Sequence, residues 1–371
     1  MRRLAVLLTV GLVAGCSVAP PSPSPGPVWR ESVLPVEPVA GAAADGRTAI
    51  ARDVVVCGGS WFVVGGVREV SGETRPALWS SADAVSWRPM GLEPVSFYGG
   101  QSVLSSVACS GRSLVLLGAK SGGVHGNPRV SSWVGPLSGP VREVSAPFEL
   151  FGGPDAVNAG RTRTGAGQFL IVGNRASGAS VWSSPDGAAF VLRPGAGVSS
   201  WASDAVASGS GWLVVGAASS GGVRRPAVWS WAVAAGWSAV SVDSPGSGEL
   251  FWAGPVLLGV SDGFRAWRPV GGRWVAGPAF GVVGPGVPPV VSGAVAAGRL
   301  FALTGSGDRF GLSVSADSGG TWAGVDLPAP WSRSVDTVAA VAGSADRLVL
   351  LRDGGSGARV YMSDGPFGRF R

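Results

Sequence analysis

One phrase recurs along this chain: a strand of small residues ending at glycine, a Leu-Val-Val-Gly strand, a loop, Ala-Val-Trp-Ser, a turn and a final aromatic. Residues Asp53 to Gly65 align without gaps to Asp204 to Gly216. Ser105 to Leu117 fits the same frame, with Cys109 standing where Cys57 stands. The third-strand markers are Trp79, Trp133, Trp182, Trp229, Trp267, Val314 and Tyr361, spaced 54, 49, 47, 38, 47 and 47 residues apart. Residues 48–371 therefore divide into seven units of about 46 residues, the length of a four-stranded propeller blade.

The β-branched and aromatic runs of these units are bounded by Gly, Ser, Asp and Pro, and read as strands. No apolar pattern of helical period follows Val13. A short four-stranded sheet cannot bury two faces alone, but radial packing gives every sheet two neighbours and protects its edges. The expected fold is all-β, a seven-bladed β-propeller of four-stranded antiparallel blades. Six or eight blades fit the spacing less well, and the single period argues against two β-sandwiches. Glycine (61) and proline (28) approach the composition of disordered chains, but 46% hydrophobic content and 16 tryptophans do not. The glycines read as turn density.

Two ways of closing the ring remain open. Residues 29–36, beginning Trp29-Arg30, resemble 87–94, beginning Trp87-Arg88, which reads as a fourth strand of the first blade. On that reading, residues 28–47 supply the outermost strand of the last blade. Otherwise Phe367 to Arg371 supplies it and 28–47 wraps outside.

At the N-terminus, Arg2 and Arg3 precede an apolar run from Leu4 to Val13, too short to span a bilayer and typical of a secretory signal. The following Val13-Ala14-Gly15-Cys16 resembles the lipobox of bacterial lipoproteins. That resemblance implies cleavage after residue 15, a diacylglycerol thioether on Cys16, and an extracytoplasmic protein lipid-anchored to the outer face of the cell membrane. Prolines 20, 21, 23, 25 and 27 make residues 16–27 a semi-rigid tether. The organisation expected is signal 1–15, lipidated tether 16–27 and one propeller domain 28–371. The formal charge of +6 falls to +4 without the signal, and no basic stretch interleaved with aromatics points to nucleic acid.

Ser315-Ala316-Asp317-Ser318-Gly319-Gly320-Thr321-Trp322 matches Ser-x-Asp-x-Gly-x-Thr-Trp, and so resembles the Asp-box, or BNR repeat, of sialidases and related propellers. Shorter versions are Ser81-Ala82-Asp83 through Trp87 and Ser184-Pro185-Asp186 through Phe190. Asp and Ser side chains suit the bonding of a tight turn, Gly a positive φ, and Trp packing between blades. In the family the motif staples the turn between third and fourth strands, away from the active site. The resemblance therefore implies a fold. Sialidase chemistry uses three arginines, a tyrosine paired with a glutamate, and an aspartate; they also usually carry an Arg-Ile-Pro phrase. This chain has no Arg-Ile-Pro and two tyrosines, Tyr98 and Tyr361. Tyr361 stands in a third-strand packing column, and Tyr98 has no identifiable glutamate partner.

One histidine and three cysteines exclude chemistry built on paired histidines or a Cys/His zinc cluster, so neither metal nor cofactor is expected. His125, in a Gly-rich loop, reads as solvated. Gly259-Val260-Ser261-Asp262-Gly263 matches Gly-x-Ser-x-Gly but lacks the following helix and the histidine order of that hydrolase motif. By analogy with the architecture, a ligand face would be built from the loops entering each innermost strand. Candidates there are Asp53, Asp155 and Asp204, with Tyr98, Phe151, Trp201, Trp252 and Trp331. The opposing reading has the aspartates bonding neighbouring backbone amides and the aromatics packing under loops. Cys57 and Cys109 are left open: an oxidising compartment favours a disulfide, whereas equivalent positions on adjacent blades would point the same way and exceed the ~7 Å Cα limit. Two functions follow. One is a non-catalytic binding or assembly scaffold at the cell envelope, a monomer taking a glycan, peptide or protein ligand. The other is a carbohydrate-active, sialidase-like glycoside hydrolase.

Overall fold

The computed structural model describes residues 26–37, 46–122, 128–285, 289–365 and 367. The signal, Cys16, the tether through residue 25, and His125 lie outside the described residues. The chain forms seven antiparallel sheets around an axis, a seven-bladed β-propeller. The innermost strands are Thr48–Cys57, Val103–Ser110, Ala156–Gly165, Ser200–Ser208, Glu249–Ala253, Val290–Ala296 and Val338–Gly343. Each of the first six leads into second, third and outermost strands, and the seventh into a second and a third. In the first blade these are Ser60–Arg68, Thr74–Ser81 and Arg88–Pro89. The second blade gains a fifth strand, because Leu92–Glu93 pairs in parallel with Val141–Val144.

The ring is fastened by its N-terminal end. Arg30–Val33 pairs antiparallel with Ala358–Ser363, the third strand of the seventh blade, placing Ser32 opposite Val360. Phe367 is buried, its ring 5.1 Å from that of Phe301.

The buried residues fall into seven apolar clusters, one in each wedge between neighbouring blades. Side-chain alternation along a strand explains this division. Trp61 and Val63 pack toward the seventh blade, whereas Phe62 and Val64 pack toward the second. Both faces are covered, so the second strands are continuous apolar runs, as in any doubly buried sheet.

The third-strand markers pair with equivalent second-strand positions, Trp79 with Val63 through Tyr361 with Leu350. Several of their indoles also hold the loop that enters their own blade. Trp79 donates to the Pro35 carbonyl at 2.8 Å, Trp182 to Leu150 at 2.6 Å and Trp267 to Asp243 at 2.6 Å. A second tryptophan row joins the fourth, first and seventh blades to the ones before them. Trp237 donates to the Pro194 carbonyl, Trp87 to the Ser32 hydroxyl and Trp29 to the Asp326 carbonyl. The contact at Ser32 shows the closing strand meeting the first blade as any other outer strand meets its neighbour.

Candidate functional site

Each turn between third and fourth strand that carries Ser-x-Asp is closed by those two side chains. At the fullest motif, the Ser315 hydroxyl donates to Asp317 Oδ1 (2.7 Å) and accepts the Gly319 amide (2.8 Å). Asp317 also accepts the Thr321 amide and hydroxyl at 2.8 and 2.9 Å. The Thr321 amide, then the Ser315 hydroxyl, hold the Asp317 carboxyl down at about 2. Asp83 and Asp186 make the same kind of turn and are also held low, chiefly by the Ser86 and Ala188 amides. Gly319 has φ +85°, and a Cβ there would stand 2.8 Å from that of Ala266 on the preceding blade. Trp322 stacks on Phe280, with ring centroids 4.2 Å apart. These residues organise turns and leave no carboxylate oxygen aimed at the axis.

The axis has a different construction. Innermost strands of the first four blades carry a β-bulge, between Ala51/Asp53, Leu104/Ser106, Ala159/Arg161 and Ala202/Asp204. A bulge inserts one unpaired residue and re-aims the next side chain. Asp53, Ser106, Arg161 and Asp204 thus occupy one ring position, each opposite the residue before the conserved-geometry glycine or its equivalent in the second strand. The side chains of Asp53, Ser106 and Asp204 stitch neighbouring blades together. Asp53 accepts the Val107 amide at 3.1 Å, Ser106 the Thr162 amide at 2.9 Å, and Asp204 the Trp252 amide at 3.1 Å.

Arg163, two residues beyond Arg161, forms a bidentate pair with Asp204, Nε to Oδ1 at 2.7 Å and Nη2 to Oδ2 at 3.0 Å. Burial works against the Arg163 charge, but the facing Asp204 carboxylate raises its affinity for the proton overall. Burial pushes the Asp53 carboxyl above its ordinary value, against the pull of Arg161, Arg163 and the Val107 and Val54 amides. A cavity of about 230 Å³ is lined by these groups together with Phe251, Trp252 and the C-terminal halves of several innermost strands. Arg52 of the first blade pairs with Asp353 of the seventh at 2.6 Å.

The other expected site residues are dispersed. Asp155 is exposed and precedes its strand, and Arg161 holds the ring position of that blade. Asp155 stands six residues before the ring position, which separates this acid from the axis. Trp331 is 2% exposed, wedged against Phe310 and Tyr361; it fills the gap between the sixth and seventh blades rather than presenting a platform. Trp252 packs edge-on against Trp274. Trp201 lies under the Arg224 guanidinium, which also pairs with Glu249. Tyr98 and Phe148 flank the Arg129 guanidinium at 5.4 and 4.2 Å beside a second cavity of about 180 Å³, with Phe151 on its wall.

Cys57 and Cys109 form a disulfide, with Cα atoms 6.3 Å apart. The gapless frame had set them in one column, pointing the same way. The paired register shows Val54 equivalent to Val107, each opposite the residue that pairs with its blade's marker tryptophan. Cys109 is therefore equivalent to Val56, one residue short of Cys57. A one-residue slip turns a side chain to the other face, so Cys57 faces the second blade and Cys109 the first. Both border the wedge between them.

Arg161, Arg163 and Ser106 are the axial residues that sequence reasoning missed. Their signal was the second strand: counting back from Val172, opposite Arg161, would have placed them, whereas searching for the nearest acid did not. Among the described residues no group of three or more His, Cys, Asp or Glu is arranged to hold a metal. Nor is any helix there long and apolar enough to cross a membrane.

No protein-family model and no curated protein matches the chain. Solved structures do. The β-propeller domain of the Trilobed protease from Pyrococcus furiosus, described as having an open velcro topology, is 10% identical over 86% of this chain and 94% of its own, with a TM-score of 0.52. Acylaminoacyl peptidase from Pyrococcus horikoshii is 10% identical over 87% of this chain and 52% of its own, with a TM-score of 0.51. A Hadza microbial sialidase is 12% identical over 85% and 65%, with a TM-score of 0.46. At these identities the likeness is one of fold alone: the chain is a seven-bladed β-propeller.

Proposed function

We propose that this chain is an exported lipoprotein, anchored through Cys16 to the outer face of the cell membrane, whose propeller is a non-catalytic binding or assembly scaffold. The observation carrying the non-catalytic reading is the use made of Asp53 and Asp204. Glycoside hydrolysis by paired carboxylates needs two acids free to exchange protons across a substrate. Here Asp204 takes two bonds from Arg163 and two from backbone amides, and Asp53 takes the Val54 and Val107 amides. Both acids join blades. The anchoring reading is supported by Val13-Ala14-Gly15-Cys16 and the proline-rich segment after it.

Expression from its own signal tests both halves. The wild type is expected in the membrane fraction with a diacylglyceryl mass on its N-terminal peptide, and Cys16→Ala in the soluble fraction. Surface crosslinking is expected to capture an envelope component, and a panel of sialosides and other glycosides to stay intact. Hydrolysis that disappears in Asp53→Asn or Asp204→Asn variants would overturn the scaffold reading. A Cys16→Ala protein that stays on the membrane would overturn the anchor.

A further inference from the structure

We propose that the cleft formed beside Arg129 by the loops entering the second and third blades binds one pyranose unit of a neutral glycan. This inference deepens the scaffold reading and rests on it only in taking the ligand to be bound and left intact. Among the described aromatic side chains only Phe97 and Phe148 are exposed, at 71% and 44%, and both stand at this cleft. Exposed apolar surface gathered in one place marks a binding surface. The loop that presents it is fixed from below. Glu143 is buried and accepts the Val95 and Ser96 amides at 2.6 and 2.7 Å and the Ser96 hydroxyl at 2.6 Å. Gly99 completes the fit, since a Cβ there would stand 2.0 Å from a Glu143 carboxylate oxygen. Phe97 meets Tyr98 edge-on, with centroids 5.5 Å apart. The Arg129 guanidinium lies between the Tyr98 and Phe148 rings, and its side chain makes no hydrogen bond or ion pair among the described residues. Its five N–H donors are the directional groups of the cleft, and Ser132 and Ser145 add hydroxyls to the wall.

The lining selects the class of ligand. Aromatic rings beside a few convergent polar groups match a pyranose, which has an apolar C–H face and a rim of hydroxyls. One guanidinium and one carboxylate, that of Glu143, line the cleft, and Glu149 stands on the short helix Phe148–Phe151 beside it. No surplus positive charge is left there for an anion. An extended peptide adding a strand would need a free sheet edge. The edge beside the cleft is taken, because Leu92–Glu93 pairs with Val141 and Arg142 and the next two amides are held by Glu143. A volume of about 180 Å³ lies below the roughly 300–1,000 Å³ of drug-sized sites, so one ring enters and the rest of a glycan stays outside.

Saturation-transfer NMR of the purified full-length protein with the methyl pyranosides of glucose, galactose, mannose and N-acetylglucosamine, and with methyl glucuronide, tests the assignment. At least one neutral glycoside is expected to bind saturably with a roughly millimolar dissociation constant and to be recovered intact, with the glucuronide bound no more tightly. Phe148→Ala and Arg129→Gln are each expected to weaken that binding about tenfold. Val282→Ala, in the loop entering the sixth blade, should leave it unchanged. Phe148 is exposed and Arg129 half-buried, so both variants should fold; if one does not, the other decides. No saturable binding of any neutral glycoside, a glucuronide bound tenfold more tightly, or wild-type affinity in Phe148→Ala or Arg129→Gln would each overturn the proposal. Release of free sugar with binding retained would overturn the scaffold reading and leave this site assigned.

Discussion

Asp204 is 1% exposed and sits where the fourth blade meets the fifth, so its charge depends on the Arg163 fork for compensation. Removing one partner of a buried pair strands the other, at a cost of about 3–5 kcal/mol. Arg163→Leu is therefore expected to lower the unfolding free energy by that amount in urea titrations at neutral pH. Arg163→Lys, which keeps the charge and loses the fork, should fall between it and the wild type. A loss under about 1 kcal/mol in Arg163→Leu would show that water already compensates Asp204. At this scale the sequence was legible where the repeat is gapless: Asp53 and Asp204 share a column and share a role. It was not legible at Arg161, where an arginine takes the ring position that acids hold in the first and fourth blades, and only the register opposite Val172 shows it.

Strand register decides the next level. The Cys57–Cys109 bond closes a 52-residue separation between the ends of two innermost strands. Chain-entropy reasoning values such a crosslink at about 4 kcal/mol, an upper figure where the unfolded chain keeps structure. The Cys57→Ser, Cys109→Ser double variant is expected to unfold at lower denaturant by an equivalent of about 2–4 kcal/mol. Wild-type protein should match it when reduced, and equal midpoints for oxidised and reduced wild type would contradict this. The residue types and the adjacency of the two blades were readable. The direction of each sulfur was not, since a single-residue slip in the frame reverses it. The Ser-x-Asp turns behave oppositely: their bonds run between residues two to four apart, so local sequence was sufficient to draw them.

For the whole molecule, stability is distributed over seven wedges rather than one centre, and the ring holds only if the seventh wedge is sealed. Arg30–Val33 does this through a strand ladder, with the Arg30–Asp364 and Arg359–Glu31 ion pairs at its exposed margin. Such surface pairs are worth about 0–1 kcal/mol each, so the ladder and the burial of Leu34 carry the closure. A chain starting at residue 34 would leave the Ala358–Ser363 edge unpaired, and unpaired edges recruit other chains. It is expected to melt at a lower temperature than a chain starting at residue 26 and to form dimers or larger species in size-exclusion chromatography. A monomer of unchanged melting temperature would place the closure elsewhere. The number of blades, their marker residues and their turns follow from the sequence alone, because a repeated pattern of alternating apolar strands has few ways to bury both faces. Which acids lie on the axis and which way the cysteines turn were decided only by the assembled ring. Those outcomes depend on bulges and on contacts between blades some 50 residues apart, and local preference along the chain does not encode them.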